Sequence, residues 1–355
     1  MLSTQAALVG CDHPHTGAHL DTLLSLPEVT GIHLWDPDPA CAERLRQAAG
    51  AKFVAIHNRL DDLLADDRVG WVVAALRHDV SAEVLRRCAQ AGKPVLSEKP
   101  IGLDSSEVQG VVDEFRQRGL ALSVMLVNRY KPAVQALRRW VREGHLGRLC
   151  SAETRLHTTT VTLRDPSMWL FQRALSGGGI LPWLGCHHLD LFHYIMDTTA
   201  VEVAAMCDTV GGEDVDVEDL AVLSLRFANG CLGSATFGYV MPGGGTGNNF
   251  AAKDTYFGLK GTLGGASFVP TDDQQVVELV SLHDAHVGAA EQRLLFREDP
   301  AAAYGQRPGL EFFRDCLRAA LTGSPNPCAG EAMVQLWKVI EGAYRSQAEG
   351  VRVRL

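Results

Sequence analysis

The stretch Ala6-Ala7-Leu8-Val9-Gly10-Cys11-Asp12-His13-Pro14-His15-Thr16-Gly17 decides how the first part of the chain reads. An apolar run ending in a glycine describes a strand that leaves the sheet through a tight turn. Helical character over residues 15–26 follows. Strand, glycine turn and helix open a βαβ unit, whose helix N-terminus favours anions at the carboxyl end of the sheet. The alternation then repeats. Residues 31–35, 53–56, 71–76, 94–96 and 120–127 read as strands, and the fourth is continuously apolar, as a strand buried on both faces should be. Helical segments over 39–49 and 81–91 lie between them, with Gly92 as a C-cap, and Asp104 N-caps a helix to about Arg118. Six strands alternating with helices predict an α/β domain of the Rossmann plan, a doubly wound parallel sheet.

Beyond residue 127 the pattern changes. Residues 133–142 read as a helix, 149–160 alternate like an exposed-edge strand, and 179–196 are helical. The chain is then strand-rich to about residue 280. Ala221, Leu223, Leu225 and Phe227 alternate along one strand, and Asn229-Gly230 after it is a hairpin signal. Helices over 309–321 and 331–347 close the chain. The expectation is a Rossmann domain over 1–127 and, over 128–355, an α+β domain with a large, mostly antiparallel sheet for substrate binding and oligomerisation. A large open sheet needs a cover for its second face, which predicts a homodimer or homotetramer.

Composition sets bounds. At 355 residues the chain suits two domains. Its longest apolar stretch, 69–76, falls far short of the roughly 20 residues that cross a bilayer. The first ten residues lack the basic start of a signal peptide. Nine scattered cysteines without zinc-ligand spacing read as reduced thiols, and predict a cytoplasmic protein. A net charge of −9 argues against a nucleic-acid or anionic-membrane partner.

The turn after the first strand is a degraded G-x-G-x-x-G. Gly10 can still make the tight turn, but no second glycine lets the backbone approach a phosphate. Asp36 closes the second strand, near the spacing at which a carboxylate grips the adenosine ribose hydroxyls. It repels a 2′-phosphate, and Pro37-Asp38-Pro39 offers no arginine to bind one, so NAD is favoured over NADP. The competing reading of Asp36 is an N-cap for the next helix. The candidate cofactor-binding residues are Gly10, Asp12, His13, His15, Asp36, Arg77, Glu98 and Lys99. His13, His15 and His19 suit an anion better than a metal, since no carboxylate group completes a metal shell. No metal is expected.

Two further stretches carry chemistry. Ser97-Glu98-Lys99-Pro100 follows the fifth strand, where a lysine ammonium stands beside the nicotinamide and can stabilise developing alkoxide charge. The proline fixes the backbone there, and a cis bond is one way it can do so. Gly177-Gly178-Gly179-Ile180-Leu181-Pro182-Trp183-Leu184-Gly185-Cys186-His187-His188-Leu189-Asp190 opens a helix. On a continuous helix Trp183, His187, Asp190 and Tyr194 share one face. Cys186 points about 100° away from His187 and forms no dyad with it.

These motifs resemble those of the Gfo/Idh/MocA oxidoreductases, which show E-K-P after the fifth strand and G-G-G-x-x-x-D-x-G-x-H-x-x-D in the second domain. The resemblance spans nearly the whole chain, including Asn128-Arg129-Tyr130, Trp169, Arg173 and Gly261-Thr262. It implies Lys99 and His187 as catalytic residues, with His187 moving the proton. It also implies Lys99, Arg129, Tyr130, Trp169, Arg173, Trp183, His187 and His188 as substrate-binding residues, and a sugar, cyclitol or similar polyol as substrate. Alternatives are an NAD-dependent glycosidase of the same fold and a non-catalytic nucleotide- or sugar-binding protein. The family's aspartate is Trp183 here, so Asp190 or a backbone carbonyl is left to orient His187, and the indole to stack on a sugar face or fill the core. The run Gly243-Gly244-Gly245-Thr246-Gly247, which precedes no helix, reads as a flexible loop rather than a phosphate loop.

Overall fold

The computed structural model describes residues 2–243, 253–270, 274–297 and 299–355. Gly244, Gly245, Thr246 and Gly247 of the glycine run lie outside the described residues. The chain divides into two compact units, residues 1–130 with 299–334 and residues 131–298 with 335–355.

In the first unit the strands are β1 (Thr4–Val9), β2 (Val29–Trp35), β3 (Phe53–Ile56), β4 (Val69–Ala74), β5 (Val95–Ser97) and β6 (Leu122–Val124). They pair in parallel in the order β3-β2-β1-β4-β5-β6, which is the doubly wound order with its switch point beside β1. The helices between them are α1 (Thr16–Ser25), α2 (Pro39–Arg46), α3 (Leu60–Leu64), α4 (His78–Gln90) and α5 (Ser105–Gln117). Asp104 caps α5 as expected, accepting from Glu107 N at 2.8 Å. The sixth strand is shorter than its apolar sequence suggests, because a 3₁₀ turn takes over at Val127–Tyr130.

The second unit opens with α6 (Pro132–Arg142), β7 (Leu149–Thr159), α7 (Arg173–Ser176) and α8 (Cys186–Met196). The strands β8 (Ala200–Asp208), β9 (Leu220–Phe227), β10 (Leu232–Met241), β11 (Lys253–Gly261), β12 (Gly264–Pro270), β13 (Gln274–Ser281) and β14 (Glu291–Arg297) follow. With β7 and β15 (Val353–Arg354) they form a nine-stranded sheet in the order β14-β13-β12-β11-β7-β10-β9-β8-β15. Among the described residues of this sheet, only β7 and β10 pair in parallel. β7 is therefore not an edge strand but lies between β11 and β10; its alternation reports one covered and one open face, not its place in the sheet. The covered face carries Leu223, Leu225, Phe227 and Phe257, against which Phe192 of α8 packs at 5.2 and 5.4 Å between ring centroids. The Asn229-Gly230 hairpin joins β9 to β10.

The unit boundary differs from a single cut at residue 127. α9 (Gln306–Thr322) and the start of α10 (Glu331–Glu349) return to the first unit. The reason is burial: Leu310, Phe312, Phe313, Cys316 and Leu317 of α9 are apolar and buried, and Phe313 meets Trp71 of β4 edge-on at 6.2 Å.

Candidate active site

The turn after β1 is shaped by one glycine. Gly10 has φ +89°, and a Cβ there would stand 2.1 Å from the Ala75 carbonyl oxygen, so no other residue fits without displacing β4. Asp36, at the end of β2, accepts from Cys11 N at 2.5 Å and from Asp38 N at 2.8 Å. The N-cap of α2 is Asp38, which accepts from Ala40 N. Asp36 thus ties the turn to the strand end and does not cap the helix. Asp12 takes the place of the second fingerprint glycine; it is exposed and paired with Arg44 at 3.0 Å. Arg77, beyond β4, is held by Asp79 of the following helix at 2.6 Å.

The histidines of the turn meet a carboxylate after all, supplied from β5 rather than from the turn. Glu98 is buried, and its Oε1 lies 2.8 Å from both His15 Nδ1 and His19 Nε2. Its Oε2 accepts from Lys99 N at 3.2 Å. Burial alone would push the Glu98 carboxyl up, but His15 and His19 outweigh it and hold it well below the usual carboxylate range. Burial keeps His13 and His15 neutral, with pKa values below the ordinary one. The ionised Glu98 carboxylate thus lies within hydrogen-bond reach of both the His15 and His19 rings. The ring of Tyr304 packs 5.0 Å from His15 and 4.9 Å from His19.

Lys99 follows directly. It is 1% exposed, which excludes a solvated surface lysine. The Lys99-Pro100 peptide is cis, and Ile101 after it has φ +75°, a strained value for a β-branched residue.

In the second unit the glycine triplet leads not into a continuous α-helix but into a π-turn over Leu181–Gly185, with α8 starting at Cys186. Such turns cluster at functional sites. The turn hangs on Glu218, which precedes β9. Its Oε2 accepts from Gly179 N at 2.9 Å, and its Oε1 accepts from Leu181 N at 3.0 Å and from Tyr344 Oη at 2.9 Å. Arg173 lies 3.6 Å from Glu218 Oε2, donates to the Asp216 carbonyl, and stacks 5.1 Å above the Tyr344 ring.

The expected single face of Trp183, His187, Asp190 and Tyr194 does not persist. Trp183 sits inside the π-turn, buried, edge-on to Trp169 at 6.2 Å. Tyr194 turns to α6, where Arg138 stacks 3.7 Å above its ring. His187 and Asp190 are both buried on α8. His188 is buried, and its Nδ1 lies 2.6 Å from Thr154 Oγ1 of β7. Of the remaining candidates, both in the first unit, Tyr130 donates to Asp315 at 2.7 Å and Arg129 to the Pro327 carbonyl at 3.3 Å.

Tyr304, Glu218 and Tyr344 carry no motif. Each reaches its partners from a distant part of the chain, so only the fold reveals them.

A parallel sheet in this strand order, with a glycine turn and a terminal carboxylate on adjacent strands, defines a dinucleotide-binding domain. Residues 5–126 match the oxidoreductase family with the NAD-binding Rossmann fold, and residues 134–267 match the GFO/IDH/MocA C-terminal domain. The chain belongs to the Gfo/Idh/MocA oxidoreductase family. It is 26% identical over 212 residues to levoglucosan dehydrogenase of Pseudarthrobacter phenanthrenivorans, covering 53% of this chain and 54% of that one. It is 28% identical over 214 residues to inositol 2-dehydrogenase of Rhizobium meliloti, covering 58% and 61% respectively. The chain thus matches little more than half the length of these relatives. Among solved structures, levoglucosan dehydrogenase in complex with NADH and levoglucosan superposes with a TM-score of 0.85 over 99% of both chains, at 20% identity. That likeness concerns the fold. No described helix is long and apolar enough to cross a membrane, and all nine cysteines are free thiols.

Proposed function

We propose that this chain is an NAD-dependent dehydrogenase or reductase acting on a CH–OH group of a sugar, cyclitol or similar polyol. The observation that carries this reading is Lys99: a fully buried lysine at the end of a Rossmann strand, fixed beside a carboxylate that two histidines hold ionised. The residues present suit NAD, since Gly10 permits the close turn and Asp36 presents a carboxylate where ribose hydroxyls are gripped. Bound NAD supplies the hydride acceptor or donor. Lys99 polarises the substrate oxygen and stabilises alkoxide charge as it develops. His187 takes or returns the hydroxyl proton. Glu98, with His15 and His19, positions the backbone of Lys99. The relatives' named substrates, levoglucosan and inositol, set the class to test first. Cytoplasmic residence and a homo-oligomer, closed over the open sheet face where Met206 of β8 lies beside Val222 of β9, belong to the same proposal; light scattering checks the assembly.

The test is steady-state turnover of a sugar and cyclitol panel with NAD. Lys99→Ala and His187→Ala are each expected to lower kcat by roughly 100-fold or more, with NAD affinity retained. Near-native turnover in either variant removes that residue from catalysis. Sugar binding without turnover, or glycoside cleavage without net NADH, overturns the dehydrogenase reading.

A further inference from the structure

A second cluster of ligating side chains lies on the β2–β3 side of the first unit and shares no residue with the site above. His33 of β2 is fully buried, and its Nε2 stands 2.8 Å from Gln5 Oε1. An amide oxygen only accepts, so Nε2 carries the ring proton and Nδ1 of the neutral ring keeps its lone pair. Gln5 reaches His33 because the position beside it is Gly31: a Cβ there would stand 3.1 Å from Gln5 Cγ and 2.6 Å from Val54. The His33 lone pair faces His57 Nε2 at 2.9 Å, just after β3, and Asp66 Oδ2 at 3.8 Å, between α3 and β4. The three ligand atoms all lie within 4.8 Å of one another.

We propose that His33, His57 and Asp66 bind a divalent transition-metal ion of the zinc class, through Nδ1, Nε2 and Oδ2, with water completing the shell. Ligands on one tetrahedral zinc, with bonds of about 2.0–2.2 Å, stand roughly 3.3 Å apart. The two separations from His33, 2.9 and 3.8 Å, straddle that value, and the third pair lies within 4.8 Å, so side-chain rotation closes the site. Gln5 is the outer partner that fixes the tautomer and aim of a ligating histidine. The bound ion ties β2, the end of β3 and the α3–β4 turn together. Its competitors are a direct His57-to-His33 hydrogen bond and the exposed Arg68, whose guanidinium donates to both Asp66 oxygens, at 3.0 Å to Oδ1 and 2.6 Å to Oδ2. The other histidine–carboxylate group, His13, His15 and Glu98, also meets the spacing. There Glu98 Oε1 already accepts from two rings, and the Lys99 ammonium acts on both His13 and His15, which opposes a cation.

The test is calorimetric titration of ZnCl₂ into the EDTA-dialysed full chain. One ion per chain is expected. His57→Gln and Asp66→Asn should each weaken it at least roughly 100-fold, beyond the 10–100-fold cost of losing an outer partner. Arg68→Gln should tighten it several-fold by removing the competing cation, a gain that a purely structural role for Asp66 would not produce. His15→Gln should leave it unchanged. Circular dichroism identifies any variant that fails to fold, and the partly exposed His57, Asp66 and Arg68 keep the test independent of the fully buried His33. Substitution with Co²⁺ should give ligand-field bands without a thiolate charge-transfer band, which separates this site from the free cysteines. Absence of stoichiometric binding, binding that survives both His57→Gln and Asp66→Asn, or a thiolate band would overturn the assignment.

Discussion

Replacing His188 by Gln is expected to flatten the acid side of the stability curve. The Thr154 hydroxyl donates to the Tyr256 carbonyl at 2.9 Å, so towards His188 it can only accept. His188 Nδ1, 2.6 Å away, must carry the single proton of a neutral ring. A second proton would enter a buried position that already feels the Lys131 ammonium. Burial first, and Lys131 second, lower the His188 pKa from 6.5 to about 3. Between those values the unfolded chain binds the proton and the folded chain does not, so stability falls as pH drops through the window and is unaffected above it. Each unit costs about 1.4 kcal/mol. At pH 5 the His188 contribution to the loss is therefore about 2 kcal/mol. The assay is urea unfolding of the native protein and His188→Gln from pH 8 to pH 5. The packing cost of the substitution does not vary with pH, and the other buried histidines titrate alike in both proteins. The stability difference between them should thus shift by about 2 kcal/mol in favour of the variant on acidification. A difference that stays constant with pH would refute the reasoning, and loss of turnover in the variant would transfer the proton-moving role from His187.

For Asp36, NAD should bind at least roughly tenfold more tightly than NADP, about 1.4 kcal/mol; calorimetry giving equal or reversed affinities would remove the ribose role. Gly10→Ala forces a Cβ to 2.1 Å from the Ala75 carbonyl at φ +89°, and should weaken NAD at least roughly tenfold through displacement of the turn. Native NAD affinity would show that the turn does not carry the cofactor. Trp183→Ala should cost about 3–5 kcal/mol of stability, since the indole is buried against Trp169. A variant with unchanged unfolding and a raised KM would instead return the ring to the substrate.

Much of the first unit is legible in sequence because parallel strands buried on both faces are continuous apolar runs of limited length. Where local signal is thin, the reading fails. α3 spans only Leu60–Leu64, too short to show a helical period. Leu126 and Val127 are as apolar as the strand before them, yet Val127 begins a 3₁₀ turn. In the second unit alternation gives the strands and their faces, but not their order. The central place of β7 depends on pairing with β10 and β11, which lie some hundred residues further along the chain, near Thr236 and Tyr256. The same limit explains α9: its apolar stripe is visible, but not that it packs on a sheet built two hundred residues earlier.

The site shows the same division between local chemistry and distant support. Glu98-Lys99-Pro100 and His187 stand out because their neighbours in sequence form motifs. What holds them comes from elsewhere, namely α1 and Tyr304 around Glu98, and Glu218 with Tyr344 beneath the glycine triplet. Glu218 is a buried carboxylate beside the glycine triplet, but it does not replace the missing family aspartate. Both its oxygens are aimed at the Gly179 and Leu181 amides and the Tyr344 hydroxyl, not at a substrate. Burial raises its pKa, and the two amide donors only partly offset this, so the charge is costly where it stands. A glutamine of the same size would turn an NH₂ group towards an amide N–H and leave a buried donor unpaired, at about 1–3 kcal/mol. Only a carboxylate accepts from all three donors at once. The π-turn that carries Trp183 and leads into His187 is therefore set by an acid whose work is to shape backbone.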